Sequence, residues 1–504
     1  MGSRPVAAPF QPGRQRDFWA IMAVALVFRL ILSTQAIVHQ PDEVWQYLEP
    51  AYGLVTGRWI VAWEFHSVIR GWLVPMMLYP VVALGHFVAP TSQFHIWLVR
   101  LVLSVLSLGV VAACYQLGSR VSRQHGLMAG WVAAIWTEIF YFAPRSSGEA
   151  IAVSLLMPAI ALLYRLRERP DFRIAVAAGC LLVLGAIVRF QYLPAVALIA
   201  AGSGWGGHWA GDRGRRLWLP LLLGNGVALA MGGMADMLGG QRPFLWIYTN
   251  YTINMAQQRS ALFGTMAPGW YISQILTTWG WCSLVLVPSV IVGVRRFPLL
   301  LAAALVIIAV HMLVPHKEYR FVLLAVVLLV LLAAVGSVDV AQWLVQRYPR
   351  YRKMMMAMLG GVWLAMSVTV AVCNPFVTYW GRGRSSITTL AEAGQRPDIC
   401  GLAYFLTPSQ PRAAYVYFNR NLPILLFEGP IAGAAATANQ QRFNVIIAPR
   451  LAEASLSRAY RLDHCMPANK PAAKQQNCTY VRPGMCSGGA GDFDYNAVLT
   501  RLGH

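Results

Sequence analysis

Charge is scarce in this chain. Asp, Glu, Lys and Arg make up 12% of its 504 residues, against about 25% in an ordinary soluble domain. Acidic residues are the scarcest, 20 Asp and Glu against 41 Lys and Arg. The sequence also lacks a Gly-x-x-x-x-Gly-Lys phosphate loop, a His/Glu metal motif, a Cys/His zinc finger and a basic–aromatic RNA motif. Nothing in it therefore points to the common nucleotide-hydrolysing, zinc-dependent or nucleic-acid-binding modules. Internal repeats and long low-complexity tracts are absent too, which sets aside repeat architectures and disorder. What fills the chain instead is apolar, 57% of all residues.

Apolar runs long enough to cross ~30 Å of hydrocarbon recur along most of the chain, so the expected class is an α-helical polytopic membrane protein. Residues 1–17 read as a polar cytoplasmic N-terminus, with Arg14 and Arg16 just before the run Phe18–Val38. That run is about 20 residues long, too long for a signal-peptide core, and no small-residue cleavage site follows it; it is expected to stay as the first span. The net charge of +21 could suggest nucleic acid. Most of it, however, sits in short clusters between apolar runs: Arg120/Arg123, Arg165/Arg167/Arg169/Arg173, Arg213/Arg215/Arg216, Arg295/Arg296 and Arg347/Arg350/Arg352/Lys353. The positive-inside rule puts such loops in the cytoplasm, so topology accounts for the charge without a nucleic-acid partner.

With those loops inside, spans fall near 125–143, 148–164, 174–188, 190–203, 217–238, 271–293, 297–314, 321–343 and 354–374. The outer face then receives the first loop (39–67), Arg145–Glu149, Arg189–Tyr192, the 239–270 connection and the cluster His316–Arg320. An odd number of crossings must join the outer His39 loop to the inner Arg120 loop, yet Ser67–Val88 and Ile96–Gly118 both look long enough to cross. The run 67–88 is interrupted by Gly71, Pro75, Pro80 and Gly85, and is expected to be re-entrant or interfacial. About eleven full spans result, with the N-terminus inside and the C-terminus outside. Beyond Asn374–Pro375 the composition turns polar, and residues 375–504 read as a small outer α/β domain with candidate strands at Ala413–Phe418, Leu422–Phe427 and Phe443–Ile447. It holds Cys400, Cys465, Cys478 and Cys486, an even number that fits two disulfides of undetermined pairing in an oxidising compartment.

Two charged clusters stand out against this background. His39–Gln40–Pro41–Asp42–Glu43 follows the first span, and His316–Lys317–Glu318–Tyr319–Arg320 lies between two later ones. Carboxylates and cations beside a bilayer are costly and commonly functional. Moving a sugar from a lipid phosphate onto a hydroxyl needs a base for the acceptor proton and cations for the departing phosphate. Asp42 or Glu43 suits the first task; His316, Lys317, Arg320, Arg145 and Arg189 suit the second. Asp42, Trp45, Gln46 and Glu49 are spaced to share one face of a short helix, a pairing of acids, amide and indole that suits a sugar. Each has a plainer use. Asp42 and Glu43 also suit the first turn of a helix, Lys317 and Arg320 can snorkel, Trp45 suits a membrane interface, and Glu149 can cap the helix that follows it. Asp492–Phe493–Asp494 matches the Asp-x-Asp of metal-dependent sugar transferases, but three residues in a polar tail carry no weight.

These motifs carry a resemblance. His39-Gln-Pro-Asp-Glu-Val-Trp-Gln-Tyr-Leu-Glu49 resembles the first outer-loop motif of glycosyltransferase family 22, and His316-Lys-Glu-Tyr-Arg-Phe321 is similar to its His-Lys-Glu-x-Arg-Phe motif. Arg145-Ser-Ser-Gly-Glu149 looks like a shortened form of a third, without its Asn, and Ser260-Ala-Leu-Phe-Gly-Thr265 with Pro268-Gly-Trp-Tyr271 resembles a fourth. Arg189-Phe-Gln stands where the family usually has Arg-Pro. The family comprises membrane mannosyltransferases of GPI-anchor and N-glycan precursor assembly, and the likeness is to its GPI third-mannose type. It implies a GT-C fold with residues 18–374 as the transmembrane catalytic region. It further implies inverting transfer of mannose or a related hexose from a polyprenyl- or dolichyl-phosphate sugar to a glycolipid or lipid-linked glycan, with no cofactor and no metal. By position, Asp42 becomes the base with Glu43 beside it, and His316, Lys317 and Arg320 contact the donor phosphate. Arg145 and Arg189 are further phosphate candidates, while Trp45, Gln46, Glu49, Glu149 and Glu318 are expected to line the substrate. The Arg-heavy, Lys-poor chain with short loops points to a bacterial inner membrane with the site facing the periplasm, or to the endoplasmic reticulum if the source is eukaryotic. A transporter or flippase of lipid-linked sugars is the competing class, and the lack of repeated halves speaks against it.

Overall fold

The computed structural model describes residues 12–204, 211–347, 349–406, 413–429, 431–466 and 476–502. Residues 1–11 of the expected N-terminal tail, and part of the basic connection before Arg216, lie outside the described residues. Among the described residues, six helices are long and apolar enough to cross a bilayer: Phe94–Ser119, Gly148–Glu168, Arg216–Leu238, Trp270–Gly293, Tyr319–Arg347 and Lys353–Val372. Shorter apolar helices, Leu73–Val88, Phe172–Val188, Phe190–Gly204 and Pro298–Met312, accompany them. The chain is thus a polytopic helical membrane protein with a small C-terminal sheet. Two compact units divide it: residues up to Ser33 with Gly71–Leu73 and Leu101–Phe376, and Thr34–Arg70 with Val74–Arg100 and Val377 onward.

In the first unit the helices start where the sequence supplies caps. Ser147 accepts from the amide of Ala150 at 3.3 Å and Asp171 from that of Ile174 at 3.0 Å, each satisfying an orphan donor of the following helix. From Leu323 to Val338 the helix Leu323–Arg347 is apolar nearly all round and almost wholly buried, whereas Lys353–Val372 is mostly exposed; the former is the unit's central stave. It meets Ser283–Gly293 along a glycine seam, where a methyl on Gly336 or Gly293 would strike the carbonyls of Ser289 and Leu332. Small residues at such a crossing let two backbones approach closely where lipid offers no hydrophobic drive. The expected span 125–143 is broken: Arg123–Ile135 ends at Trp136, whose backbone is extended (φ −67°, ψ 124°), and Thr137–Phe142 resumes beyond it.

In the second unit a five-stranded sheet is built from β1 (Leu402–Leu406), β2 (Ile424–Glu428), β3 (Val445–Pro449), β4 (Arg461–Met466) and β5 (Asn477–Val481). Its order is β2-β1-β3-β5-β4, with β1 parallel to β2 and β3, and β5 antiparallel to β3 and β4. Cys400 pairs with Cys486, and Cys465 with Cys478 across the β4–β5 register. Two of the three expected strands correspond to β2 and β3. The third does not form: Tyr415–Phe418 is a short helix. Its first amides, Tyr415 and Val416, donate to the Glu49 carboxylate at 2.8 and 2.9 Å, and Asn419 closes it in the left-handed region at φ 50°. An anion at the start and an Asn at the end favour a helical turn over a strand. Asp494 of the Asp-x-Asp tripeptide caps the helix Tyr495–Arg501, accepting from the amide of Asn496 at 3.0 Å.

The first loop belongs to this second unit. Tyr52 donates to Asn419 at 3.0 Å, Gln93 donates to the Tyr417 carbonyl at 2.8 Å, and Asn496 donates to the Trp59 carbonyl at 3.0 Å. The expected short helix is present, but Glu43–Leu48 is wound as a π-helix before Glu49–Thr56 continues as α. That wider winding does not keep the 3.6-residue register on which a shared face of Asp42, Trp45, Gln46 and Glu49 depends. The 67–88 segment contains the helix Leu73–Val88 with Pro80 inside it, 16 residues long and so about 24 Å, short of a full untilted crossing.

Candidate functional site

Helix Pro298–Met312 of the first unit ends at the loop that carries the charged cluster. The Lys317 ammonium turns back onto that helix end, donating to the carbonyls of Met312, at 3.2 Å, and Val314. A cation there complements the last carbonyls of a helix. Met266 N donates to the Pro315 carbonyl at 3.0 Å, His316 Nδ1 bonds the Gly264 carbonyl at 3.2 Å, and Tyr192 donates to the Phe321 carbonyl at 3.0 Å. The loop is thus tied to the 239–270 connection and to the turn after Arg189.

Around it runs a chain of alternating charges. Arg189 meets Glu149 at 3.1 Å, Glu149 meets Arg320 at 3.3 Å, Arg320 meets Glu318 at 2.9 Å, and Glu318 meets His316 at 3.2 Å. Glu149 is 1% exposed and Arg320 3%, so each is held in place by its partners rather than by water. The Arg189 guanidinium also lies over the Phe321 ring at 4.5 Å, a cation–π contact. Burial pushes the Glu318 carboxyl up, but Arg320 and His316 override it and hold it well below the usual carboxylate range. The Glu318 hydrogen bond in turn raises His316 above its ordinary 6.5, burial opposing, and burial pushes the Lys317 ammonium down. Arg189 Nε and His311 Nε2 are buried beside this chain without a hydrogen-bond partner among the described residues. The Arg189 N–H suits an anion, whereas the neutral His311 ring donates from Nδ1 to the Ile307 carbonyl at 2.8 Å and keeps a lone pair at Nε2. Arg145, 1% exposed, stacks over Tyr141 at 5.0 Å and donates to its carbonyl at 3.3 Å.

In the second unit the two adjacent carboxylates part company. Glu43 Oε1 accepts the amides of His39 at 2.7 Å and Gln40 at 3.2 Å, tying the loop to itself. Asp42, partly exposed, makes no cap to the helix it precedes. It lies close enough to Glu64 to act on its charge: burial raises the Glu64 carboxyl, Arg70 lowers it, and Asp42 raises it further. Gln46 donates to Glu64 at 3.1 Å and Trp45 to the Ala413 carbonyl at 3.3 Å. Glu49 accepts three amides, those of Ile60 (2.9 Å), Tyr415 and Val416. Burial lifts its carboxyl and those amides pull it back, leaving it at about 7.

The first unit therefore brings together Glu149, Arg189, His316, Glu318 and Arg320, with Lys317 on the neighbouring carbonyls and Arg145 on Tyr141 of the preceding helix. The second unit gathers Asp42, Gln46 and Glu64, while Glu43, Trp45 and Glu49 are bonded to backbone. Sequence reasoning passed over Glu64 and Glu138. Glu64 has no motif around it. Glu138 had a signal, a carboxylate inside a span, and it is fully buried.

A family model described as the Alg9-like mannosyltransferase family matches residues 19–381. The chain belongs to that family. Within it, the chain is 25% identical over 290 residues to the GPI alpha-1,2-mannosyltransferase 3 of Bos taurus, covering 56% of this chain and 52% of the relative. It is 25% identical over 436 residues to the GPI mannosyltransferase 3 of Yarrowia lipolytica, covering 83% and 79%. The chain thus spans about half the length of the mammalian relative and most of the fungal one. Among solved structures, ArnT from Cupriavidus metallidurans bound to undecaprenyl phosphate aligns at a TM-score of 0.55 with 12% identity, over 93% of this chain and 99% of that one. At that identity the likeness bears on the fold, which is of the polytopic GT-C type.

Proposed function

We propose that this member of the Alg9-like family is an inverting hexosyltransferase. It takes mannose or a related hexose from a polyprenyl-phosphate sugar and places it on a glycolipid or lipid-linked glycan, at the periplasmic face of a bacterial inner membrane. The family supports the sugar, and the ArnT structure with undecaprenyl phosphate supports a lipid phosphate as carrier. The observation that carries the reading is the buried chain Arg189–Glu149–Arg320–Glu318–His316. It is a preorganised set of cations ahead of the central helix, with the unpartnered Arg189 Nε beside it.

In the proposed reaction Asp42 takes the proton of the acceptor hydroxyl as its oxygen attacks the anomeric carbon. The bond from that carbon to the phosphate oxygen breaks, its electron pair leaves with the polyprenyl phosphate, and Arg320 and Arg189 meet the growing charge. Asp42 is preferred to Glu43 because it is partly exposed, whereas Glu43 is buried with its carboxylate on two loop amides. The test is transfer of radiolabelled mannose from polyprenyl-phosphate mannose in membranes, with identification of the labelled lipid. Asp42→Asn is expected to cut transfer by at least about a hundredfold with the protein still inserted. Full activity in that variant removes Asp42 from the mechanism, and movement of the intact donor across the membrane without transfer favours a flippase.

A further inference from the structure

Glu138 is a fully buried carboxylate that the proposed reaction does not use. Its Oε2 accepts from Trp136 Nε1 at 2.8 Å and from Trp279 Nε1 at 2.9 Å, and its Oε1 accepts from the Tyr319 hydroxyl. All three donors are neutral, and among the described residues no basic side chain hydrogen-bonds it. An acid kept in an apolar bundle on such terms is expensive, and structures retain such groups where they do a job. The donors come from three places: the break at Trp136, the end of helix Trp270–Trp279, and the turn Tyr319–Val322.

That turn is a 3-10 helix. With three residues per turn, successive side chains point about 120° apart. Fixing the direction of Tyr319 therefore fixes that of Arg320, the next residue, whose guanidinium spans Glu149 and Glu318. We propose that Glu138 is a positioning residue: through Tyr319 it sets the direction in which Arg320 presents its guanidinium to the lipid phosphate of the donor. This rests on the reading of Arg320 as the phosphate partner.

Two mild substitutions probe the link. Tyr319→Phe keeps the ring and removes the hydroxyl. Glu138→Gln can keep its oxygen toward the two indoles, but its amide then faces Tyr319 and replaces the charge-assisted bond to the carboxylate with a weaker, neutral one. The measurement is binding of undecaprenyl phosphate to the purified full-length protein in lipid nanodiscs, resolving affinity from the number of binding-competent molecules. Each variant is expected to raise Kd roughly tenfold, as when a group that orients a ligand contact is lost, and the double variant to be no weaker than the worse single one. A merely structural role would lower the binding-competent fraction and leave Kd at the wild-type value; that result overturns the proposal. Arg320→Ala separates the two layers. If it binds undecaprenyl phosphate as tightly as wild type, the phosphate reading itself falls. If it binds weakly while both milder variants keep the wild-type Kd, only the role of Glu138 falls.

Discussion

Arg320 holds two carboxylates at once, Glu318 through Nε and Nη2 and Glu149 through Nη1, and Glu318 passes the connection on to His316. That coupling has a pH signature. The Glu318 bond raises His316 above 6.5, so the charged imidazole is fully present below its unfolded value, and its contribution is lost as pH rises through the raised one. Binding of undecaprenyl phosphate is expected to weaken on that alkaline limb, and His316→Gln to flatten it; a titration in which the variant keeps the same limb would exclude His316 as its source. The sequence marked five members of this charge chain because each stands in a run where charge is scarce. Residue chemistry left Asp42 and Glu43 both open as the base, and only the family resemblance favoured Asp42, since the amides that engage Glu43 are placed by folding. Glu64 was invisible for the same reason: its surroundings, Gln46, Arg70 and Asp42, are assembled from separate stretches.

At the scale of elements, long apolar runs were the most legible feature. Of the nine expected spans from 125 to 374, eight correspond to helical stretches within a few residues, because a bilayer permits little besides helix, and 125–143 is broken at Trp136. Short elements were not legible. Tyr415–Phe418 has the aromatic and β-branched composition of a strand, yet the Glu49 carboxylate, more than 360 positions away in the chain, makes it a helix. Likewise the π winding of Glu43–Leu48 leaves no trace in residue spacing. Glu49→Gln should therefore injure structure more than chemistry. An amide presents one oxygen to three N–H donors, and the loss of a buried acceptor costs about 2 kcal/mol. The expected result is a lower unfolding midpoint for the second unit, followed by hydrogen exchange at Ile60, Tyr415 and Val416, with Kd for undecaprenyl phosphate unchanged. Unaltered exchange at those amides would show that Glu49 does not support them.

For the whole molecule, orientation is the decisive expectation, and impermeant thiol labelling reads it directly. In a background with Cys373 replaced by Ser, a cysteine at exposed Arg58 should react from outside intact cells, and one at exposed Arg169 only after permeabilisation. The reverse pattern would turn the protein over and refute a periplasmic site. Along the C-terminal part of the chain the second compact unit begins at Val377. What composition could not reveal is that residues 34–70 and 74–100 join the unit beyond it, since that partnership is written in hydrogen bonds such as Tyr52 to Asn419 rather than in local polarity. This interleaving governs biosynthesis. A ribosome delivers the Asp42 segment more than 360 residues before Tyr415 and Val416. The loop must wait, its Glu49 carboxylate matched only by the Ile60 amide, while the intervening helices are inserted. Maturation of the proposed base is thus a late event, and a nascent chain halted before residue 413 would be threaded through the membrane yet chemically unfinished.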